Sequence, residues 1–189
     1  SVETKEQLEA VLESGLISRV YLDSMICEAD KFSEMVRRVK HSGKECWLRT
    51  PQIFRDKARE YFDRTLDSYR SAGLDGILAS SAEAGEYFRR NKTAPRLTAD
   101  HMVYAWNQRS RQALREWGYE EDTLPAELNE KELERRGAAG SEAVVYGRFP
   151  MMAAANCLEK TLRGCGKKPR VLRLRDRAGR EFPVKNHCR

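Results

Sequence analysis

The run ECWLRTPQIFRDKAREYFDRTLDSYRSAGLDGILASSAEAGEYFRRNKTAPRLTAD, residues 45–100, decides the fold class. Three short pieces of it, ECWLRT (45–50), DGILAS (75–80) and PRLTAD (95–100), read as strands bounded by turn residues. Between the first two, residues 53–72 place Phe54, Ala58, Phe62, Leu66 and Tyr69 on one helical face, with Gly73 at the C-terminal cap. Between the second and third, SAEAGEYFRR (81–90) reads as a helix that Ser81 caps. Strand, helix, strand, helix, strand with short connections is the pattern of βα units on a parallel sheet.

The pattern continues on both sides. Upstream, TKEQLEAVLES (4–14) is a helix, ISRVYLDS (17–24) a short buried strand and EADKFSEMVRRVKH (28–41) an amphipathic helix. Downstream, NQRSRQALREW (107–117) is a helix, TLPAEL (123–128) a fifth strand, NEKELERRG a helix capped by Asn129, and SEAVVYGR (141–148) a sixth strand. A doubly wound sheet would want a glycine-rich phosphate loop after the first strand, and none is present. Polar residues recur at the expected strand ends: Asp23, Arg49, Ser80, Asp100 with His101, Glu127 with Asn129, and Tyr146 with Arg148. In a barrel these converge on one mouth. The expected class is therefore α/β, a partial (β/α) TIM-type barrel over residues 1–150, because a full barrel takes about 250 residues.

After Arg148 the rhythm breaks. Residues 151–189 read as a cysteine-containing basic loop with one helical turn, then a β-hairpin (171–184) across the DRAG turn. Charge follows the same division. Residues 159–189 hold eleven basic and three acidic side chains, net +8, whereas residues 1–158 carry −2. Such a patch attracts phosphate backbones or is simply a solvated hairpin. Composition (40% hydrophobic, 34% charged; mean hydropathy −0.72) excludes a disordered chain and a helical membrane protein. No signal sequence opens the chain, so a cytoplasmic location with reduced thiols is expected. Without an initiator Met it reads as a piece of a longer chain.

Candidate chemistry falls in two places. At the mouth, Asp100 and Glu127 are a carboxylate pair suited to acid/base work, with His101 the one histidine there. The competing reading is structural ion pairing of those carboxylates with Arg49 or Arg148. Arg49 and Arg148 would alternatively hold an anionic small molecule. Tyr104 and Trp106 would stack a base or pack at the rim. No G-x-S-x-G or H-E-x-x-H motif occurs. The second place is the tail, where Cys157, Cys165 and Cys188 sit among lysines and arginines that favour thiolates. Three thiolates are one short of a closed zinc or iron–sulfur site. A ligand past the last residue, or His187, would complete it; unrelated free thiols are the alternative. Cys27 and Cys46, with apolar neighbours, read as core residues.

ELNEKEL (127–133), VVYGRFPMM (144–152), AAANCLEKTLRGC (153–165) and LRDRAGREFPVKNHC (174–188) together resemble the peptidase U32 family, the collagenase-like peptidases. TADHMVYAWNQRSRQALREWG (98–118) resembles the unit before them. The resemblance is strong over 95–189 and looser upstream. It implies a TIM-barrel-like domain and a bacterial peptidase-like hydrolase acting on peptide, but no agreed catalytic residues; Asp100, His101, Glu127 and Arg148 are the site candidates from their strand-end positions alone. It also implies that Cys157, Cys165 and Cys188 are the family's cysteines, which in some relatives hold a 4Fe-4S cluster rather than zinc. Those relatives act in hydroxylation of tRNA, ribosomal RNA or a quinone precursor, so an RNA substrate is the alternative. A non-catalytic barrel module completed by the rest of a longer chain is a third reading. Oligomeric state is left open.

Overall fold

The computed structural model describes residues 1–25, 29–166, 168 and 170–186. They divide into two compact units, Ser1–Phe149 and Pro150–Arg189. The first unit runs α1 (Lys5–Glu13), β1 (Arg19–Asp23), α2 (Ala29–His41), β2 (Glu45–Arg49), α3 (Asp56–Ser71), β3 (Gly76–Ala79), α4 (Ala82–Arg90), β4 (Leu97–Ala99), a 3₁₀ turn (His101–Val103), α5 (Gln108–Glu116), β5 (Glu121–Thr123), α6 (Glu130–Arg136) and β6 (Ser141–Glu142). The six strands form one parallel sheet in sequence order. It is a curled half-barrel, the partial TIM-type barrel that the alternation predicts.

Alternation along each strand separates two faces. Val20, Leu22, Cys46, Leu48, Ile77, Ala79, Leu97 and Ala99 belong to the main core, together with Phe32 and Val36 of α2, Phe62 and Tyr69 of α3, and Phe88 of α4. The other parity forms the concave face, and it is charged. Arg19 Nε binds Glu45 (2.6 Å), while its Nη1 reaches Glu121 (2.6 Å) and Glu142 (2.7 Å), joining β1 to β2, β5 and β6. Tyr21 donates to Glu142 (2.5 Å). Burial alone would lower the Arg19 guanidinium, but its bonds to Glu121, Tyr21 and Glu45 reverse the sign and hold it charged. One cation thus bridges three carboxylates from three strands across the concave face.

Trp47 lies in the middle of this face. The Arg19 and Arg96 guanidiniums stand 4.3 and 4.9 Å from its ring centre. The ring passes over Gly76, where an added Cβ would come within 2.3 Å of it. Because both arginines fix the indole, it cannot step aside. Gly76→Ala is therefore expected to destabilise the fold by about 1–3 kcal/mol, read from the urea midpoint at unchanged m. A change below about 0.5 kcal/mol would show the indole free to move.

Two expected strands are corrected. The fifth is Glu121–Thr123, not 123–128, because Pro125 lacks a ladder N–H and residues 126–127 turn into α6. The sixth is only Ser141–Glu142 instead of 141–148, since β5 offers no partner past Leu124, whose N–H meets the Glu142 carbonyl (2.8 Å). Val144, Val145 and Tyr146 have strand-forming side chains but no neighbouring strand, and they lie exposed. Both expected N-caps hold: Ser81 accepts from Ala84 N–H (3.3 Å), and Asn129 closes a capping box with Glu132.

The second unit contains α7 (Leu158–Arg163) and the antiparallel hairpin β7 (Arg170–Arg175) and β8 (Glu181–Asn186). Gly179, at φ 82°, supplies the left-handed residue of the turn. Among the described residues, no helix is long and apolar enough to cross a membrane.

Candidate active site

Asp100 directly follows β4. Its N–H donates to the Ala79 carbonyl (2.9 Å), and the chain then tightens into the 3₁₀ turn, with Val103 N–H on the Asp100 carbonyl (2.9 Å). Strand alternation turns the carboxylate to the concave side at the C-terminal ends of the strands. There it is 4% exposed and three neighbours hold it. Ser80 Oγ donates to Oδ2 (2.8 Å), Arg49 Nε donates to the same oxygen (3.1 Å), and His101 Nδ1 meets Oδ1. Arg49 Nη1 also faces Asp23 (3.5 Å). Ser80 is fixed in turn, because its N–H donates to Thr50 Oγ1 (2.9 Å). Burial pushes the Asp100 carboxyl up, but the His101 hydrogen bond, the Arg49 charge and Ser80 together outweigh it and bring it down to about 2.

His101 is held by one nitrogen only. Its Nε2 is buried and has no hydrogen-bond partner among the described residues. The side chain keeps 13% exposure, and the Phe149 ring meets it edge-on at 5.3 Å. Beyond it, Tyr104 adopts a left-handed backbone (φ 56°) and stacks on Trp106 at 6.3 Å. Both rings are nearly half exposed, so Trp106 is a rim residue and not a core one. A buried carboxylate that orients an imidazole, with the second imidazole nitrogen unpartnered, is an arrangement that acid/base chemistry can use.

Only part of the expected set is brought together. Asp100 and His101 meet, and Arg49 pairs with Asp100 as the ion-pair reading anticipates. Glu127 and Arg148 do not join them. With β5 ending at Thr123, Glu127 is an exposed turn residue before α6; with β6 ending at Glu142, Arg148 lies exposed in irregular chain. Among the described residues, the partners of Asp100 are Arg49, Ser80 and His101. Ser80 and Thr50 do more than terminate strands, because they lock one carboxylate oxygen.

Cys157 sits at the start of α7, where its Sγ accepts from Lys160 N–H (3.4 Å) and contacts Asn186 Oδ1 (3.4 Å). Cys165 is exposed. Cys188, His187 and Cys27 lie outside the described residues. Among the described residues, no three His, Cys, Asp or Glu side chains are grouped to hold a metal ion. Cys157 caps the start of α7.

The concave charge network was missed by sequence reading, although it had a signal. In RVYLD (19–23) and ECWLR (45–49) charged or aromatic residues alternate with apolar ones. That is a two-faced strand rather than a uniformly buried one. The second omission is Asp122, bound by Arg136 (2.5 Å) and Arg111 (3.1 Å), which fastens α5 and α6 to the sheet.

Comparison with known proteins bears on the fold and the family. No curated protein matches. The solved structure of the U32 peptidase Mk0906 is similar with a TM-score of 0.58 at 12% identity, over 75% of this chain. The chain spans 65% of that protein's length, and at such identity the likeness is one of fold. The family model for Peptidase family U32 matches residues 18–168, from the approach to β1 through α7. That match takes in every strand of the half-barrel and the Asp100–His101 pair, and the chain belongs to peptidase family U32.

Proposed function

We propose that the chain cleaves peptide bonds at the C-terminal ends of β1–β4, with His101 as general base and then general acid. The observation that carries this reading is the buried Nε2 of His101, left without a partner while Nδ1 is tied to Asp100. With Asp100 holding the Nδ1–H tautomer, Nε2 presents a lone pair. It takes a proton from a water whose oxygen attacks the peptide carbonyl. The same proton then passes to the leaving nitrogen as the C–N bond breaks, giving a carboxylic acid and an amine, and the acid's remaining proton moves to the amine to leave a carboxylate and an ammonium group. Arg49 puts a positive charge beside the carboxylate at the same strand ends, where it stabilises the oxyanion of the tetrahedral intermediate.

The experiment is cleavage of a quenched-fluorescence peptide library by the purified chain and by His101→Gln. Gln keeps much of the shape but cannot exchange a proton. Its kcat/KM is expected to fall by at least about a hundredfold. Wild-type rates in the Gln variant, or an absence of cleavage across the library by the wild-type chain, would refute the assignment.

A further inference from the structure

At the opposite end of the sheet the first unit contains a cavity of about 480 Å³, a size that suits a small ligand. It opens where α3 and α4 end and β3 and β4 begin. Arg96 and Asp100 lie at opposite ends of β4, so roughly 13 Å of strand separates this cavity from the acid/base pair. Its floor is apolar, with Leu74, Phe88 and Leu97. Its polar lining includes four cations, Arg70, Arg89, Lys92 and Arg96, and no carboxylate.

The four cations are not equivalent. Arg70 and Arg89 belong to the last turns of α3 and α4 and offset the negative helix ends. Arg89 is further held by Glu86 (2.7 Å), and Arg96 by Glu45 and Glu121. Lys92 is exposed and makes no ion pair among the described residues. Its backbone is left-handed (φ 48°) just beyond α4, a position where glycine is the residue without strain. Next to it, Thr93 is 4% exposed and its hydroxyl has no hydrogen-bond partner among the described residues. A buried hydroxyl without a partner is rare in folded proteins. The cavity thus combines an apolar floor, an uncommitted cation held at a conformational cost, and an unsatisfied buried hydroxyl in its wall.

We propose that this cavity binds a small amphipathic anion: an apolar ring or chain bearing one sulfonate, carboxylate or phosphate. The apolar part lies on Leu74, Phe88 and Leu97, and Lys92 meets the charge. The site is separate from the acid/base pair and does not depend on the cleavage reading.

The test titrates the whole chain with anilinonaphthalene sulfonate, followed by its fluorescence, against uncharged phenylnaphthylamine. The expected result is one saturable sulfonate site per chain, with phenylnaphthylamine at least about tenfold weaker. Lys92→Gly removes the cation and the left-handed strain together, so it folds at least as well as the wild type and binds at least about tenfold more weakly. Ala94→Trp, which fills the cavity, should abolish the saturable site. Non-saturating fluorescence, equal binding of the neutral probe, or unchanged affinity in both variants would overturn the proposal.

Discussion

Arg136→Ala is expected to remove about 3–5 kcal/mol of stability, a large share of what a domain of this size possesses. The Arg136 side chain is fully buried at the end of α6. Its guanidinium donates to Asp122 Oδ2 (2.5 Å), the Ala105 carbonyl, the Gly137 carbonyl (3.0 Å) and Ser141 Oγ (3.2 Å). Burial lowers it from the ordinary arginine value, the Asp122 charge opposing, and the geometry is that of a charged, multiply bonded pair. Truncation leaves the buried Ala105 carbonyl without its side-chain donor, takes one of two arginine donors from the Gly137 carbonyl and leaves Asp122 with less compensating charge. Arg111 still reaches Asp122 but also serves the Gly137 and Ala139 carbonyls, so it cannot replace all four contacts. The loss should appear as a lower urea midpoint and a Tm depressed by roughly 10 °C. A loss under about 1 kcal/mol would mean that water fills the space and satisfies the freed groups.

Most of the half-barrel was legible in the sequence because local signals and tertiary packing agree there. In DGILAS and ECWLRT the apolar side chains, the flanking turn residues and the following amphipathic helices all point to the same unit. The reading fails where they disagree. VVYGR has the composition of a strand, but β5 is three residues long and provides no ladder to extend. TLPAEL contains a proline that cannot donate to a ladder. Both failures fell on the candidate site, since Glu127 and Arg148 were positioned by strands that end earlier. Asp100 and His101 survive because β4 is fixed by two neighbours, β3 and β5. Their environment was not readable, because Ser80 and Arg49 come from other strands and meet Asp100 only through the sheet register.

The concave face explains how a six-stranded sheet keeps its curl. A complete barrel fills its interior with layers of side chains. Here the interior layer near the N-terminal ends is ionic. Arg19 and Arg96 sit among Glu45, Glu120, Glu121 and Glu142, with Trp47 between the guanidiniums. These side chains are only partly buried, so each pair contributes modestly. Their value lies in direction, because Arg19 links β1 to β5 and β6, strands that share no ladder with it. The same curvature brings Asp23, Arg49, Ser80 and Asp100 together at the other end, beside His101.

Asp100→Asn should cost about 10³–10⁴-fold in kcat/KM for peptide cleavage, although it changes one atom. Arg49 Nε–H can only donate, and Ser80 also donates to the oxygen it faces. The amide oxygen must therefore take the Oδ2 position, which turns the amide nitrogen toward His101. An N–H facing Nδ1 forces that nitrogen to accept, and the ring proton moves to Nε2. The base is then lost while the shape of the site remains. A second readout separates this from a folding defect. Asp100 has its carboxyl depressed to about 2, below the ordinary aspartate value, so its contribution to stability is full above about pH 4. It declines as pH falls from there through the folded value. At neutral pH the wild type should exceed Asp100→Asn by about 2 kcal/mol, and the gap should narrow as pH falls toward 3. Ser80→Ala, which removes one bond to Oδ2 without altering the tautomer, should lose rate far less than Asn does. If Asp100→Asn retained cleavage within tenfold of wild type while showing the predicted stability difference, Asp100 would be a structural ion-pair partner of Arg49 and not the group that orients His101.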